Sequence, residues 1–308
     1  MNQGTPLSGD ALKQGIADFL EGYTIETTPH DAGKIEEIVA ELPAGTRVYV
    51  AHPPGSPIDD VVDLSVTFKQ RGLTPVPHII ARKLSSKDQL ERALATLAEA
   101  GVDEALCIAG DIVVENNAFE SSLEVLQTGL FGQYGFKEVG VAGHPEGSQA
   151  IGEARVKEAL AGKSEFAKTA PFRVRLVTQF GFDAEAVVKW ERATAAEGVA
   201  MPIHAGVAGP ASLRQLIKFA MMCGVGASAR MLKNRTAAMA DLIRTQAPDD
   251  LITYFVQERA ANPASRIQKL HFFAFGGVVK CAKWANAVRA GRFDLNSKGT
   301  GFEVIKAA

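Results

Sequence analysis

The chain has 308 residues, of which 46% are hydrophobic and 22% charged, enough to bury the core of one large α/β domain or two small ones. Its formal net charge of −2 and pI near 6.3, with no Lys/Arg cluster interleaved with aromatics, give no sign of a nucleic-acid surface. No stretch approaches the roughly 18 apolar residues of a membrane span, and residues 1–20 lack a basic start followed by an apolar run, so the expected setting is the cytoplasm.

Short β-branched or apolar runs alternate with segments of helical period. In chain order the runs 24–27, 47–51, 75–80, 104–109, 138–141, 173–178, 202–206 and 269–275 are expected to be strands. Between them, Ile35, Ile38, Val39 and Leu42 fall on one helical face, as do Val61, Leu64 and Phe68. A third helix opens on a capping box, Ser86 with Gln89, buries Leu90, Ala93, Leu94 and Leu97, and stops at Gly101. A later one begins at Pro210 and buries Leu213, Leu216, Ile217 and Ala220. Residues 226–264 exceed one connection and are expected to hold one or two extra helices between strands 7 and 8. Eight such βα units point to a closed (β/α)8 TIM barrel in the α/β class, a single domain over residues 1–308, with a doubly wound open sheet as the alternative. Cys107, Cys223 and Cys281 lie far apart in apolar stretches, which suits reduced, buried thiols.

In such a barrel the polar residues at strand C-terminal ends are the catalytic and binding candidates: Glu26, His52, His78, Asp111, His144 and His204, together with Thr178-Gln179-Phe180 and Asp183. Desolvation would raise the pKa of Glu26 toward that of a general acid at neutral pH; the plainer role is pairing with a buried base. Asp111 follows Gly110, which would let backbone approach a flat ligand; the plainer role is a helix cap or turn aspartate. Gln179 can donate and accept at once, matching the amide-like edge of a heterocycle, or can bond neighbouring backbone. No metal is expected, because the histidines show no ligand spacing. The Gly224-Val225-Gly226-Ala227-Ser228-Ala229 run fits a loose dinucleotide fingerprint but follows a helix, not a strand, and is set aside. The Asn234-Arg235-Thr236 sequon is set aside too, for want of a secretion signal.

In order along the chain, Glu26 before Pro29, Pro77-His78, Gly110-Asp111, Gly140-Val141-Ala142-Gly143-His144-Pro145-Glu146-Gly147 and Thr178-Gln179-Phe180 with Asp183 resemble the methylenetetrahydrofolate reductase family, of the bacterial type made of the catalytic barrel alone. The resemblance implies a flavoprotein oxidoreductase of one-carbon metabolism and methionine biosynthesis. It would hold FAD at the strand C-terminal rim and interconvert 5,10-methylenetetrahydrofolate and 5-methyltetrahydrofolate by hydride transfer through flavin N5, with NADH or another reductant as electron donor. It makes Glu26 the general acid, Asp111 the anion that binds the pterin and tunes the flavin, and Gln179 the pterin's hydrogen-bond partner. It places His52, His78, Ala109, Gly110, Asp111, Gly143, His144 and Lys168 at the cofactor, and Gln179, Phe180 and Lys280 at the folate. It also implies self-association into a homo-oligomer.

The departures are as specific. Ala109 stands where the family has an arginine, Ala51-His52 replaces a Thr-Tyr pair, Ser148 replaces a histidine, and Gly276-Gly277 occupies an Asn-Arg position. Losing that last arginine should weaken folate by roughly 1.5–3 kcal/mol unless Lys280 or another base compensates. The segment after Cys223 lacks the family's aromatic-bearing helix, so NAD(P)H is expected to be a poor reductant, leaving another donor or the methyl-oxidising direction. The other readings are a non-catalytic folate- or flavin-binding barrel serving as carrier, sensor or partner subunit, and a metal-dependent hydrolase on the same fold.

Overall fold

A computed structural model describes residues 6–110, 116–148, 151–223 and 245–305. Eight strands carry the architecture: β1 Thr24–Thr27, β2 Arg47–Val50, β3 Thr74–Ile80, β4 Glu104–Ile108, β5 Glu138–Gly143, β6 Arg173–Thr178, β7 Ile203–Ala208 and β8 Ile267–Phe273. They form a closed barrel in the order β1-β8-β7-β6-β5-β4-β3-β2, and β1 with β2, β2 with β3, β3 with β4, β4 with β5 and β7 with β8 pair parallel. The (β/α)8 fold expected from the sequence is therefore the fold observed, and the open sheet is excluded. β5 and β7 each run two residues further than their apolar stretches suggested, because Ala142, Gly143, Val207 and Ala208 continue the ladder. β8 instead begins and ends two residues earlier, and Phe275 beyond it has left the strand with φ 48°.

By their internal contacts the residues fall into two compact units. One comprises Thr24–Gly143 and Ala150–Val177; the other comprises Met1–Tyr23, His144–Gln149 and Thr178–Ala308. In the first unit, Tyr49, Val76, Leu106 and Val177 pack together with Ile108 against them, the apolar fill that alternation along a strand directs to one face. Beneath this layer lies a group of charges that no sequence pattern announced. Arg175, fully buried, reaches Glu138 at 2.7 Å and Glu104 at 3.1 Å. Arg47 meets Glu104 at 2.8 Å, and Arg173 meets Glu138 at 3.2 Å. Arg47, Glu104, Glu138 and Arg173 each open a strand, so the cluster sits at the strands' N-terminal ends.

In the second unit, the helix Gly9–Phe19 buries Leu12, Ile16, Ala17 and Phe19 and packs on the helices Asp249–Ala261 and Val278–Arg289. A hairpin of Phe293–Leu295 and Phe302–Val304 follows, pinned where the Phe302 amide donates to Asp249 at 3.2 Å. Neither the first helix nor the hairpin was among the expected elements. Asp249–Ala261 lies in the stretch expected to hold extra helices; residues 224–244, with the Gly224 run and the Asn234 sequon, lie outside the described residues.

Three local expectations are corrected. The helix after β7 begins at Leu213, not Pro210. Its capping box is Ser212 with Gln215, the Ser212 hydroxyl accepting from the Gln215 amide while the Ser212 amide donates to Gln215 Oε1. The helix Lys87–Glu99 has half of the expected box: the Ser86 hydroxyl accepts from the Gln89 amide at 3.1 Å, but Gln89 Oε1 turns to the Ser85 amide. Cys107 and Cys281 are buried, whereas Cys223 is exposed, because its helix ends there with Met221 and Met222 also turned outward.

Candidate active site

Most of the sequence-chosen residues lie in one unit or the other at or near strand C-terminal ends. In the first unit Glu26 is the third residue of β1 and His78 the fifth of β3; His78 Nε2 stands 3.7 Å from Glu26 Oε2. The His78 ring meets the Tyr49 ring edge-on, centroids 6.1 Å apart, and the Tyr49 hydroxyl accepts from Arg175 Nε at 3.0 Å. A partly open carboxylate thus backs onto a buried imidazole, which in turn rests on a fixed phenol. Strand alternation puts these groups on one face, and β1–β2–β3 pairing brings the strands together.

His52 follows β2. Its Nε2 lies 2.8 Å from the Ser56 carbonyl, and its own carbonyl, with that of Pro53, accepts from Lys83 Nζ at 2.9 and 2.6 Å. Burial, more than the nearby Lys83 charge, lowers the His52 pKa. His52 Nδ1 is buried and meets no donor among the described residues. After β4, the Ala109 and Gly110 carbonyls accept from the Arg82 amide and Arg82 Nη1, both at 3.0 Å. Gly110 has φ 86°, and a Cβ there would lie 2.3 Å from Ile80 Cγ2, so both backbone and packing require glycine. Asp111 lies outside the described residues. Gly143 closes β5, buried.

Lys168 is not gathered with these groups. It ends the helix Glu153–Ala167, ahead of the first residue of β6, and its ammonium pairs with Glu165 at 2.6 Å on the surface.

In the second unit the Thr178–Asp183 segment divides its tasks. The Thr178 hydroxyl accepts from the Gly206 amide at 2.8 Å, tying β6 to β7. Phe180 is buried against Phe182, Phe273 and Phe275, and Asp183 caps the helix Ala184–Ala196 through the Ala186 amide at 3.0 Å. Gln179 is left: half-buried in a small recess with Pro145, Glu146, Phe180, Gly181 and Val187, its carboxamide makes no hydrogen bond among the described residues. His144 follows β5, its carbonyl accepting from the Gly147 amide. Lys280 stands exposed in the first turn of Val278–Arg289, 3.3 Å from the Thr245 hydroxyl. His204 lies inside β7, buried. Sequence reasoning missed a stack at the β8 end: the Phe219 and Phe275 rings lie 4.2 Å apart and 13° from parallel. The aromatic residues Phe273 and Phe275 flanking Ala274 were its only sequence cue. Among the described residues no group of three or more His, Cys, Asp or Glu is placed to hold a metal, and no helix is long and apolar enough to cross a membrane.

The fold and these strand-end groups define a TIM-barrel protein. A family model, methylenetetrahydrofolate reductase, matches residues 55–277, and the chain belongs to that family. The match takes in His78, Gln179 and the segments around them, and begins after Glu26 and His52. Among solved structures, dihydropteroate synthase from Thermus thermophilus is similar at 12% identity, covering 88% of this chain and 95% of that one, with a TM-score of 0.41. Dihydropteroate synthase from Coxiella burnetii, solved with pteroic acid, is similar at 11%, 87% and 94%, with a TM-score of 0.40. A xylose isomerase domain containing protein from Salmonella typhimurium is similar at 14%, 88% and 94%, with a TM-score of 0.41.

Proposed function

We propose that this protein is a flavin-dependent oxidoreductase interconverting 5,10-methylenetetrahydrofolate and 5-methyltetrahydrofolate. Family membership supports the folate chemistry. The observation that carries the reading to residues is the Gln179 carboxamide, half-buried and without a hydrogen bond among the described residues. It is the one polar side chain of its segment without a task in the fold, and it offers both a donor and an acceptor to an amide-like pterin edge.

The residues present fit a flavin. The loops after β2, β3 and β4 that would flank it are held in place by Lys83 and Arg82. Flavin N5, when bound, supplies the two-electron chemistry; the chain supplies position and proton. Glu26 has the role of proton donor to the folate ring nitrogen. His78, 3.7 Å away, steadies its carboxylate from behind, and Tyr49 and Arg175 steady His78 in turn. Asp111, Gly143, His144 and Lys168 are assigned to the cofactor and Phe180 and Lys280 to the folate by family position alone. The surface pairing of Lys168 with Glu165 makes it the least supported of these.

Glu26→Gln tests the assignment. Folate turnover should fall about 10²–10⁴-fold, the usual worth of a positioned acid, while the visible spectrum shows the flavin still bound; retained turnover places the acid elsewhere. Because the segment after Cys223 lacks the family's aromatic-bearing helix, NADH should bleach bound flavin slowly in a stopped-flow mixing. Rapid stoichiometric bleaching refutes that part.

A further inference from the structure

We propose that Arg82, backed by the charge of Lys83, binds the diphosphate of the flavin cofactor. The inference rests on the flavin-dependent reading above and extends it from the ring to the charged end of the dinucleotide.

Both residues belong to the 3₁₀ turn Ala81–Lys83, which follows β3 directly, at the end of the strands where a barrel of this kind binds its ligands. Neither side chain swings freely. Arg82 Nε donates to the Glu120 carbonyl and Nη1 to the Gly110 carbonyl, both at 3.0 Å, while Lys83 Nζ donates to the His52 and Pro53 carbonyls. A guanidinium has five N–H donors and an ammonium three, so Arg82 keeps three and Lys83 one without an acceptor among the described residues. These donors are within reach of a ligand, since the Arg82 side chain is 29% exposed and Lys83 is half-buried.

The partners already in place define what the spare donors will receive. A carbonyl positions a cation without neutralising it. The only carboxylate paired with either residue among the described residues is Glu120, its Oε2 3.9 Å from Arg82 Nε. That side chain is 68% exposed, and Asn117 Nδ2 donates to its other oxygen at 3.2 Å. Burial lowers the Lys83 pKa, as it does for an ammonium with no carboxylate beside it. The neighbouring strand end, Ile108-Ala109-Gly110, brings no charge. Two fixed, unneutralised cations match the two negative charges of a diphosphate, and the planar fork of a guanidinium suits its oxygens. Lys168, the only lysine or arginine that family position sets at the cofactor, is instead paired with Glu165 on the surface and lies ahead of β6.

The test titrates the full-length protein with FAD and with riboflavin, which carries the same ring and no phosphate. Arg82→Gln should weaken FAD about 10- to 100-fold, the size of one lost charge-assisted contact, and leave riboflavin affinity unchanged. Added salt should weaken the binding of FAD to wild type and not that of riboflavin. If the variant unfolds by circular dichroism, wild type decides alone: inorganic pyrophosphate should compete with FAD and not with riboflavin. A loss in Arg82→Gln shared equally by both flavins would mean that Arg82 serves only to hold the Gly110 loop, and overturns the inference; so does FAD binding that pyrophosphate and salt leave untouched. A variant that keeps FAD affinity and loses 5-methyltetrahydrofolate would set the cation against the folate's carboxylates, which overturns the inference and leaves the flavin reading standing. Failure of wild type to bind either flavin overturns both.

Discussion

Among single side chains, Lys163 is the sharpest case. It lies on the helix Glu153–Ala167 but is buried, with Nζ donating to the Ala142 carbonyl at 3.4 Å, and burial lowers its pKa. A lowered lysine pKa means that the unfolded chain binds more protons, so this residue's penalty is complete below the folded pKa and fades as pH rises toward the ordinary 10.5. Lys163→Met should therefore raise stability at pH 7 by about 1–3 kcal/mol in urea melts, with a gain that shrinks toward pH 10; a destabilised variant would mean that the ammonium has a role of its own. The thiols are as easily separated. Burial pushes Cys107 up to about 12 and raises Cys281 as well, while Cys223 is exposed. An aromatic disulfide reagent should modify one thiol per native chain and three after denaturation. Two fast thiols in the native protein would contradict the burial described for the others.

Strands and helices show what could be read in advance. The barrel was legible because apolar runs of strand length recur between helical periods, and the closed sheet adds only the pairing that no run can display. The charged floor was not legible. Arg47, Glu104, Glu138 and Arg173 begin their strands, where a charge reads as the solvated edge of an element, and only closure gathers them around Arg175. Within the candidate site, residue types at strand ends pointed to Glu26, His78 and Gln179. The Glu26–His78 pairing and the bare His52 nitrogen depend on register and loop clamps, which spacing does not encode. Arg175→Met should cost about 3–5 kcal/mol, since it takes from Glu104 and Glu138 the one fully buried partner they share and leaves them only the more exposed Arg47 and Arg173. Burial works to raise the Glu138 pKa, but Arg175, then Arg47 and Arg173, hold it below its ordinary 4.5. Its support is thus complete above 4.5 and is lost as pH falls through the lowered folded value. Acid unfolding of wild type should show that limb and Arg175→Met should lack it; matching acid profiles would argue against the cluster.

Across the full length of the chain, the unit containing Gln179 draws on both early and late segments. Leu7 and Gln257 exchange hydrogen bonds, at 2.8 and 2.7 Å, across 250 residues of sequence, and Ile16 is fully buried. Ile16→Ala should lower stability by about 2–5 kcal/mol; a change under about 1 kcal/mol in a thermal melt would show that the helix Gly9–Phe19 is an ornament to its unit. The same long-range stitching bears on biosynthesis. A ribosome extending the chain at about 5–20 residues per second releases Leu12, Ile16 and Phe19 on the order of tens of seconds before Asp249–Ala261 and Val278–Arg289 emerge to cover them. For that interval the nascent polypeptide carries a greasy helical stripe with nothing to dock on, the kind of surface that holding chaperones take up.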